Sequence, residues 1–210
     1  MNRHSLTRKL LVFDFDGVLA HSHEQLHQTV LDVCKSMRLA EPSLDDLKTK
    51  SAKEVLKIMG LGPLGTLRFV SLSRKLLGRK EIPLLERGMR EFFTGWDKED
   101  CILGIVSSSL QGRIHEFLER EKINMHFSFV SGGISLWGKD RALFDLTVKY
   151  RPLKALYVGD EERDIVSGHK AGYQVIAIGW GVKSSNFLKS YGPDYFVESP
   201  ETLAELIKIL

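Results

Sequence analysis

The sequence has little cysteine, no long apolar run and almost no excess of either charge. Its two cysteines, Cys34 and Cys101, lie far apart in apolar surroundings, which predicts buried thiols and argues against a disulfide or a metal site. No apolar stretch approaches the roughly 20 residues that a membrane helix needs. The net charge of +3 is small for a dedicated nucleic-acid binder, which usually carries a concentrated basic stripe. We therefore expect neither a membrane nor a nucleic-acid partner.

The first residues also lack the features of a targeting segment. Positions 1–8 contain no apolar h-region, so a secretory signal is not expected, and a cytoplasmic location follows as the default. With 43% apolar and 27% charged residues over 210 positions, the composition is that of an ordinary globular protein. This length suffices for one sizeable core, alone or with a small accessory domain.

What the sequence does contain is a pair of carboxylates directly after a strongly apolar run. The run Lys9–Phe13 is typical of a strand buried on both faces, as in parallel sheets, and Asp14 and Asp16 follow it. The end of such a strand lies at the sheet edge where open α/β folds bind ligands. Two carboxylates this close ionise together only at a cost, unless a cation neutralises them or one stays protonated. The pair therefore predicts a bound metal, a nucleophile and acid pair, or both.

Further short apolar runs along the chain end in small or acidic residues. They are Cys101–Val106, 155–158, 175–178 and the weaker Tyr195–Val197. Segments of helical period lie between them, for example Ile114, Phe117 and Leu118 with Arg113 facing outward. Strands that alternate with helices predict an α/β fold with a doubly wound parallel sheet, whose strand ends share one edge.

The stretch from residue 20 to residue 87 breaks this alternation. It contains no convincing strand, and three groups of apolar residues recur at helical spacing, separated by glycines and prolines. These groups begin at Leu26, Val55 and Leu67. We therefore predict a catalytic core formed by residues 1–19 and 88–210, with a small helical domain, residues 20–87, inserted after the first strand.

The polar residues that end or follow the strands form a plausible single site. They are Asp14 and Asp16, Ser107, Lys139, and Asp160 and Asp164. The i, i+4 spacing of Asp160 and Asp164 places them on one face if the segment is helical. With Asp14 they make an oxygen-rich pocket suited to Mg²⁺, which combines one or two carboxylates with substrate phosphate. Ser107 and Lys139 offer a hydroxyl donor and a compact positive charge to that phosphate.

The order of these motifs resembles that of the haloacid dehalogenase superfamily of phosphohydrolases, in particular its phosphoglycolate phosphatase-like and β-phosphoglucomutase-like members. The sequence Asp14-Phe15-Asp16-Gly17-Val18 matches the pattern DxDG[TV] of the first motif. The other three are an apolar strand that ends in Ser107 and Ser108, Gly138-Lys139 at a helix start, and a GDxxxD motif from Gly159 to Asp164.

The resemblance implies a Rossmann-like core with a helical cap, and a role for each site residue. Asp14 would be the nucleophile that forms an aspartyl-phosphate, and Asp16 would act as acid and then as base. Ser107, Ser108 and Lys139 would hold the phosphoryl group. The metal set would be Asp14, Asp16 through its main-chain carbonyl, Asp160, and Asp164 in a supporting position.

We therefore predict a Mg²⁺-dependent phosphatase of a small phosphorylated metabolite, phosphoglycolate among the possibilities. By resemblance, the presence of Asp16 favours phosphate esters over carbon–halogen bonds. A sugar phosphate mutase of the β-phosphoglucomutase type is the first alternative. An inactive regulatory binding protein is a second, which the intact motif residues argue against. The exact substrate and the oligomeric state stay open.

Two further groups of residues near the predicted site have a simpler interpretation. His21 and His23 follow the first motif, but we expect them to line the entrance or to face solvent, since Mg²⁺ prefers oxygen ligands. Lys50, Lys53 and Lys57 have the i, i+3, i+7 spacing of one basic helix face, which we expect to be solvated.

Overall fold

The computed structural model describes residues 9–96, 101–135 and 137–210. Its strands, in chain order, are β1 (Lys9–Phe13), β2 (Ala20–His21), β3 (Leu84–Leu85), β4 (Cys101–Val106), β5 (Phe129–Ser131), β6 (Lys154–Gly159), β7 (Gln174–Ile178) and β8 (Tyr195–Val197). Six of them form one sheet in the order β5-β4-β1-β6-β7-β8, and every neighbouring pair is parallel. The predicted α/β fold with a doubly wound parallel sheet is confirmed.

The topology of this sheet brings distant parts of the sequence together. From β1 in the middle, the chain adds β4 and β5 on one side, then crosses over to add β6, β7 and β8 on the other. Open sheets bind ligands at the carboxyl edge where the direction of winding reverses. The residues that follow β1, β4 and β6 therefore meet at one edge.

The helices cover both faces of the sheet or lie in the segment between β2 and β3. They are α1 (His23–Met37), α2 (Leu44–Thr49), α3 (Ala52–Ile58), α4 (Pro63–Leu77), α5 (Met89–Thr94), α6 (Gln111–Arg120), α7 (Lys139–Tyr150), α8 (Glu162–Lys170), α9 (Ser185–Ser190) and α10 (Pro200–Ile209), with a 3₁₀ turn at Asn124–His126. Successive residues of β1 alternate between two apolar clusters: Leu11 and Phe13 belong to one, Leu10 and Val12 to the other. The strand is thus buried on both faces, as its apolar run predicts.

Helices α1 to α4 pack around an apolar cluster of their own. Its fully or largely buried members are Val33, Cys34, Val55, Met59 and Phe69. We refer to residues 20–87 as the cap. Its division from the core as a separate domain stays a prediction, and residues 1–8 of the predicted core lie outside the described residues.

Two expectations for the cap are wrong. Its two ends contain short strands, β2 and β3, which pair antiparallel where the chain leaves and re-enters the core. With two residues each, they are too short to produce a periodic signal. The expected helix face of Lys50, Lys53 and Lys57 does not form, because Lys50 is the C-cap residue that follows α2 whereas Lys53 and Lys57 belong to α3.

The helices of the described residues are short for membrane spans. No single one of them has the length and hydropathy of a membrane span. Helices α3 and α4 taken together would be long and apolar enough, by length and composition only, but the chain bends by 103° at the break between them.

Candidate active site

The candidate site lies at the carboxyl edge of the three central strands. Asp14 follows β1, and its main-chain N–H donates to the carbonyl of Val158 at 2.9 Å, which continues the sheet pairing by one residue. Ser107 follows β4 and is likewise tied to Ser131 at 3.0 Å. Asp160 follows β6 directly. Because these backbones are fixed by the sheet, their side chains project from rigid positions, as a precise site requires.

Lys139 is the cation at the centre of the site. It opens α7, as the third motif predicts, and its side chain is fully buried. The Nζ donates to Oδ2 of Asp14 and to Oδ1 of Asp164, both at 2.6 Å. Burial lowers the pKa of Lys139, but the two carboxylates outweigh this effect and hold it well above its usual value. Lys139 therefore stays charged and ties Asp14 to Asp164.

Asp160 completes a buried cluster of three carboxylates. One oxygen from each of Asp14, Asp160 and Asp164 lies within 4.8 Å of the other two. Oδ2 of Asp160 accepts from the N–H of Val182 at 2.9 Å, whereas Oδ1 is buried and has no hydrogen-bond partner among the described residues. Burial, followed by the neighbouring carboxylates, raises the pKa of Asp160 well above its usual value. An orphaned, buried carboxylate oxygen among other carboxylates fits a hard divalent cation such as Mg²⁺.

Two glycines make room for this carboxylate. Gly17 has φ of +76°, and a Cβ there would overlap the carboxylate of Asp160. A Cβ on Gly181 would overlap the Cβ of the same aspartate. Both backbones therefore approach Asp160 more closely than any other residue type allows. The glycine of the first motif thus leaves space for the side chain of Asp160, which is 143 positions further along the chain.

Asp164 has a different environment from Asp160. Oδ1 accepts from Lys139 and from the hydroxyl of Tyr157 at 3.2 Å, and Oδ2 accepts from the N–H of Glu161 at 3.2 Å. Both oxygens are therefore engaged within the protein. The expectation that Asp160 and Asp164 share a helix face is wrong, because α8 begins at Glu162. A carboxylate oxygen of Asp160 nevertheless lies within 4.8 Å of one of Asp164, although Asp160 lies outside the helix.

Asp16 lies beside this cluster with partners of its own. The hydroxyl of Ser109 donates to its Oδ2. Burial raises the pKa of Asp16, and the hydroxyls of Ser109 and Ser22 oppose the shift, as does the charge of Arg113 to a smaller extent. A carboxyl group with a raised pKa is better able to carry a proton near neutral pH, which suits an acid.

Three partners at the site were missed by the sequence analysis. Ser109 could have been found, because it continues the run of serines after β4. Arg113 was expected to face outward, but it is buried and donates to the carbonyls of Lys80 and Glu81 at 2.8 and 2.9 Å. Tyr157 is a core residue of β6 by pattern, and nothing in its local sequence indicates that its hydroxyl reaches Asp164.

The remaining residues named from the sequence lie at or near the site. Ser107 is buried, and its Oγ accepts from the N–H of Ser109 at 3.2 Å. Ser108 is half-buried and lines a cavity of about 180 Å³ together with Asp14 and Asp16.

The two histidines lie outside the carboxylate cluster. The exposed His21 ring pairs with Glu86 at 2.9 Å, and the half-buried His23 ring bonds the carbonyl of Trp180 at 3.0 Å. Their ring nitrogens and a Glu86 oxygen form a second close group, but its nitrogen donors suit Mg²⁺ less well than the three carboxylates do.

The fold and the site define a doubly wound α/β protein with an acidic, lysine-bridged centre at its carboxyl edge and a helical insertion above it. The sequence model of haloacid dehalogenase-like hydrolases matches residues 11–178. The chain belongs to this family. The predicted resemblance is confirmed, and so is the prediction of a hydrolase.

Individual relatives extend over nearly the whole chain. A phosphoglycolate phosphatase of Synechococcus elongatus is 27% identical, over 94% of this chain and 96% of its own length. Pyrophosphatase PpaX of Oceanobacillus iheyensis is 25% identical, over 95% and 96%. Among solved structures, a predicted phosphatase from Clostridium acetobutylicum superposes with a TM-score of 0.80 at 21% identity, covering 98% of this chain and 100% of the other. The named activities agree with the predicted reaction class.

Proposed function

We propose that the protein is a Mg²⁺-dependent phosphatase that hydrolyses a small phosphorylated metabolite through an aspartyl-phosphate on Asp14. The observation that carries this proposal is the buried arrangement of Lys139 between Asp14 and Asp164, next to the unpartnered oxygen of Asp160. A structural ion pair alone would not need a third buried carboxylate, whose pKa is raised by burial and then by the neighbouring carboxylates.

In the first half of the reaction, a carboxylate oxygen of Asp14 attacks phosphorus. The new bond joins this oxygen to phosphorus, the bond from phosphorus to the leaving oxygen breaks, and the proton of Asp16 passes to the leaving oxygen. Asp14 is oriented for attack, because its Oδ1 accepts from the N–H of Phe15 at 2.7 Å while Oδ2 bonds Lys139. In the second half, Asp16 takes a proton from the water that attacks phosphorus, and Asp14 is released.

The metal set comprises Asp14, Asp160, the main-chain carbonyl of Asp16, and Asp164 in support. When bound, Mg²⁺ neutralises the charge that develops on the phosphoryl oxygens. Asp164 acts mainly by holding Lys139, since its own oxygens bond Lys139, Tyr157 and the main chain. Lys139 in turn holds Asp14 in place.

The phosphoryl group is held by Ser107, Ser108 and Lys139. Of these, Ser108 lines the cavity that Asp14 and Asp16 also line, and Lys139 bonds Asp14. Their hydroxyl and ammonium donors stabilise the charge on the transferring group. The cap, residues 20–87, lies over this cavity, and contributes Leu26 and Phe69 to its wall. We infer that it excludes bulk water while the phosphoenzyme exists.

The nucleophile is tested by Asp14→Asn, with release of phosphate from p-nitrophenyl phosphate as the readout. We expect release to be abolished, because an amide cannot form the phosphoenzyme. The matched control is Asp145→Asn, at an exposed aspartate on α7, which should retain activity. EDTA should inactivate the wild-type protein, and Mg²⁺ should restore it. Substantial release by Asp14→Asn, or activity that ignores chelation, would overturn the proposal.

A further inference from the structure

The cleft between the cap and the sheet edge contains two adjacent cavities. The smaller one, of about 180 Å³, contains Asp14 and Asp16 in its wall. The larger one, of about 460 Å³, lies between the cap helices and the segments that follow β6 and β7. Six residues line both: Leu26, Val30, Phe69, Val70, Glu161 and Arg163. The larger cavity therefore adjoins the smaller one on the side that faces the cap.

The cap supplies an apolar wall to the larger cavity. Beyond the shared residues, this wall includes Leu44, Leu47, Ala52, Val55, Leu56 and Met59. Leu26 and Val70 are half-buried, and neither belongs to the four apolar clusters found among the described residues. Their side chains are thus left to face the cavity. Apolar side chains that line a cavity next to a reactive centre are typical of a binding site for an apolar ligand group.

The charged residues in the same wall are largely engaged with one another. Arg163 bonds Glu161 at 2.5 Å. Lys183 donates to the carbonyl of Lys50 at 2.5 Å. Lys48 lies exposed at the rim. A leaving group with a second negative charge would meet the carboxylate of Glu161 in this wall. Among the described residues the guanidinium of Arg163 leaves only its Nη1 without a hydrogen-bond partner, so the wall offers an anion little free positive charge.

We propose that the leaving group of the substrate carries an apolar body, an alkyl or aryl group, which occupies the larger cavity while the phosphate lies against Asp14. This inference rests on the proposed function, because it takes phosphoryl transfer at Asp14 as its starting point. A cavity of about 460 Å³ falls within the range that holds drug-sized ligands and far exceeds what glycolate or a second phosphate fills.

The test is a series of n-alkyl phosphates from ethyl to octyl, with phenyl phosphate, phosphoglycolate and pyrophosphate for comparison. Each buried methylene should raise kcat/KM by about fourfold until the cavity is full. Phenyl phosphate should be a better substrate than phosphoglycolate or pyrophosphate. Calorimetric binding of octylphosphonate and ethylphosphonate gives a readout independent of turnover, and the octyl compound should bind more tightly.

The wall is tested by Leu26→Asn, which places an amide in the apolar surface. The ratio of kcat/KM for octyl phosphate to that for ethyl phosphate should fall by about tenfold or more. Leu64→Asn is the matched control, since Leu64 is exposed on the same cap and outside both cavities, and its ratio should not change.

The outcomes separate the two proposals. If phosphate is released but kcat/KM is flat or falls with chain length, and phosphoglycolate or pyrophosphate is preferred, the apolar leaving group is wrong and the phosphatase stands. If none of these compounds releases phosphate, the proposed function itself fails. In that case tighter binding of octylphosphonate would still support an apolar site, and equal binding would exclude it.

Discussion

The sheet edge and the cap each contain a lysine–carboxylate contact of nearly the same length, in opposite surroundings. In the core, Lys139 bonds Asp14 and Asp164 at 2.6 Å, and all three side chains are less than 10% exposed. In the cap, Lys50 bonds Asp46 at 2.5 Å, but the Lys50 side chain is 40% exposed. Distance alone therefore does not rank the two contacts. Burial does, because charges out of water interact strongly and are costly to leave unpaired.

This difference in burial accompanies a difference in what the charged residues of the two regions do. The cap uses its charged residues locally: Asp46 and Glu54 belong to capping boxes at the starts of α2 and α3. The core brings charged groups from three distant parts of the sequence into one buried cluster, where each group shifts the pKa values of its neighbours. Such clusters are costly to maintain, and proteins keep them mainly where chemistry requires them.

The largest effect is expected for Lys139→Met, which removes the cation from the core cluster. The free energy of unfolding should fall by about 3–5 kcal/mol, because two buried carboxylates are left without their partner. Phosphatase kcat should fall by about a hundredfold or more. Urea unfolding in EDTA measures the first effect. The control is Lys149→Met, at an exposed lysine on the same helix, which should change the stability little.

The same variant has a definite pH dependence. Burial raises the pKa of Asp164, and Lys139 opposes this, so its removal raises that pKa further. When the pKa of a carboxyl group is raised in the folded state, the free energy of unfolding falls as the pH rises above the unfolded pKa of about 3.8. The loss in free energy of unfolding caused by Lys139→Met should therefore be larger at pH 8 than at pH 5. An equal or smaller loss in free energy of unfolding at pH 8 would contradict the view that unpaired carboxylates cause this loss.

A smaller effect of opposite sign is expected for Asp160→Asn. The raised pKa of Asp160 means that its ionised form costs stability at neutral pH, and an amide removes this cost while it still accepts from Val182. In EDTA the variant should be more stable than the wild type by about 1–2 kcal/mol. Mg²⁺ should raise the Tm of the wild type but have little effect on the variant. A variant that is less stable in EDTA would argue against an unpaired carboxylate at this position.

Much of the core could be predicted from the sequence, since its central strands are largely buried. In Lys9–Phe13 the four residues after Lys9 are apolar and buried, and the aspartate that follows marks the strand end. The cap gave weaker signals. Helix α2 (Leu44–Thr49) has no buried residue, and so its sequence has no apolar period to detect. The order of the strands in the sheet is set by tertiary packing, which a single sequence does not display.

A site residue could be predicted where its position at the end of a strand or the start of a helix marks it. It could not be predicted where its role depends on a partner far away in the sequence. Asp14 and Lys139 carry local signals, namely a strand end and a helix start. Arg113 looks like an outward position on α6, and it is buried only because carbonyls of the chain returning from the cap accept its N–H groups. Tyr157 lies in an apolar strand, and its link to Asp164 depends on where α8 begins.

The smallest effect is expected for Asp46→Asn in the cap. The hydrogen bond from Lys50, followed by those from Ser43, lowers the pKa of Asp46 to about 2. When the pKa of a carboxyl group is lowered in the folded state, the group stabilises the protein above its unfolded pKa of about 3.8. This stabilisation is lost as the pH falls through the folded pKa of about 2. Because the pair is exposed, the Tm at pH 7 should fall by only about 1–2 °C, and the difference should narrow at pH 3 and in 1 M salt. Thermal unfolding under these three conditions measures it, with Asp145→Asn as a second exposed i, i+4 pair for comparison. A fall in Tm as large as that of Lys139→Met would mean that contact length, and not burial, decides the strength of these pairs.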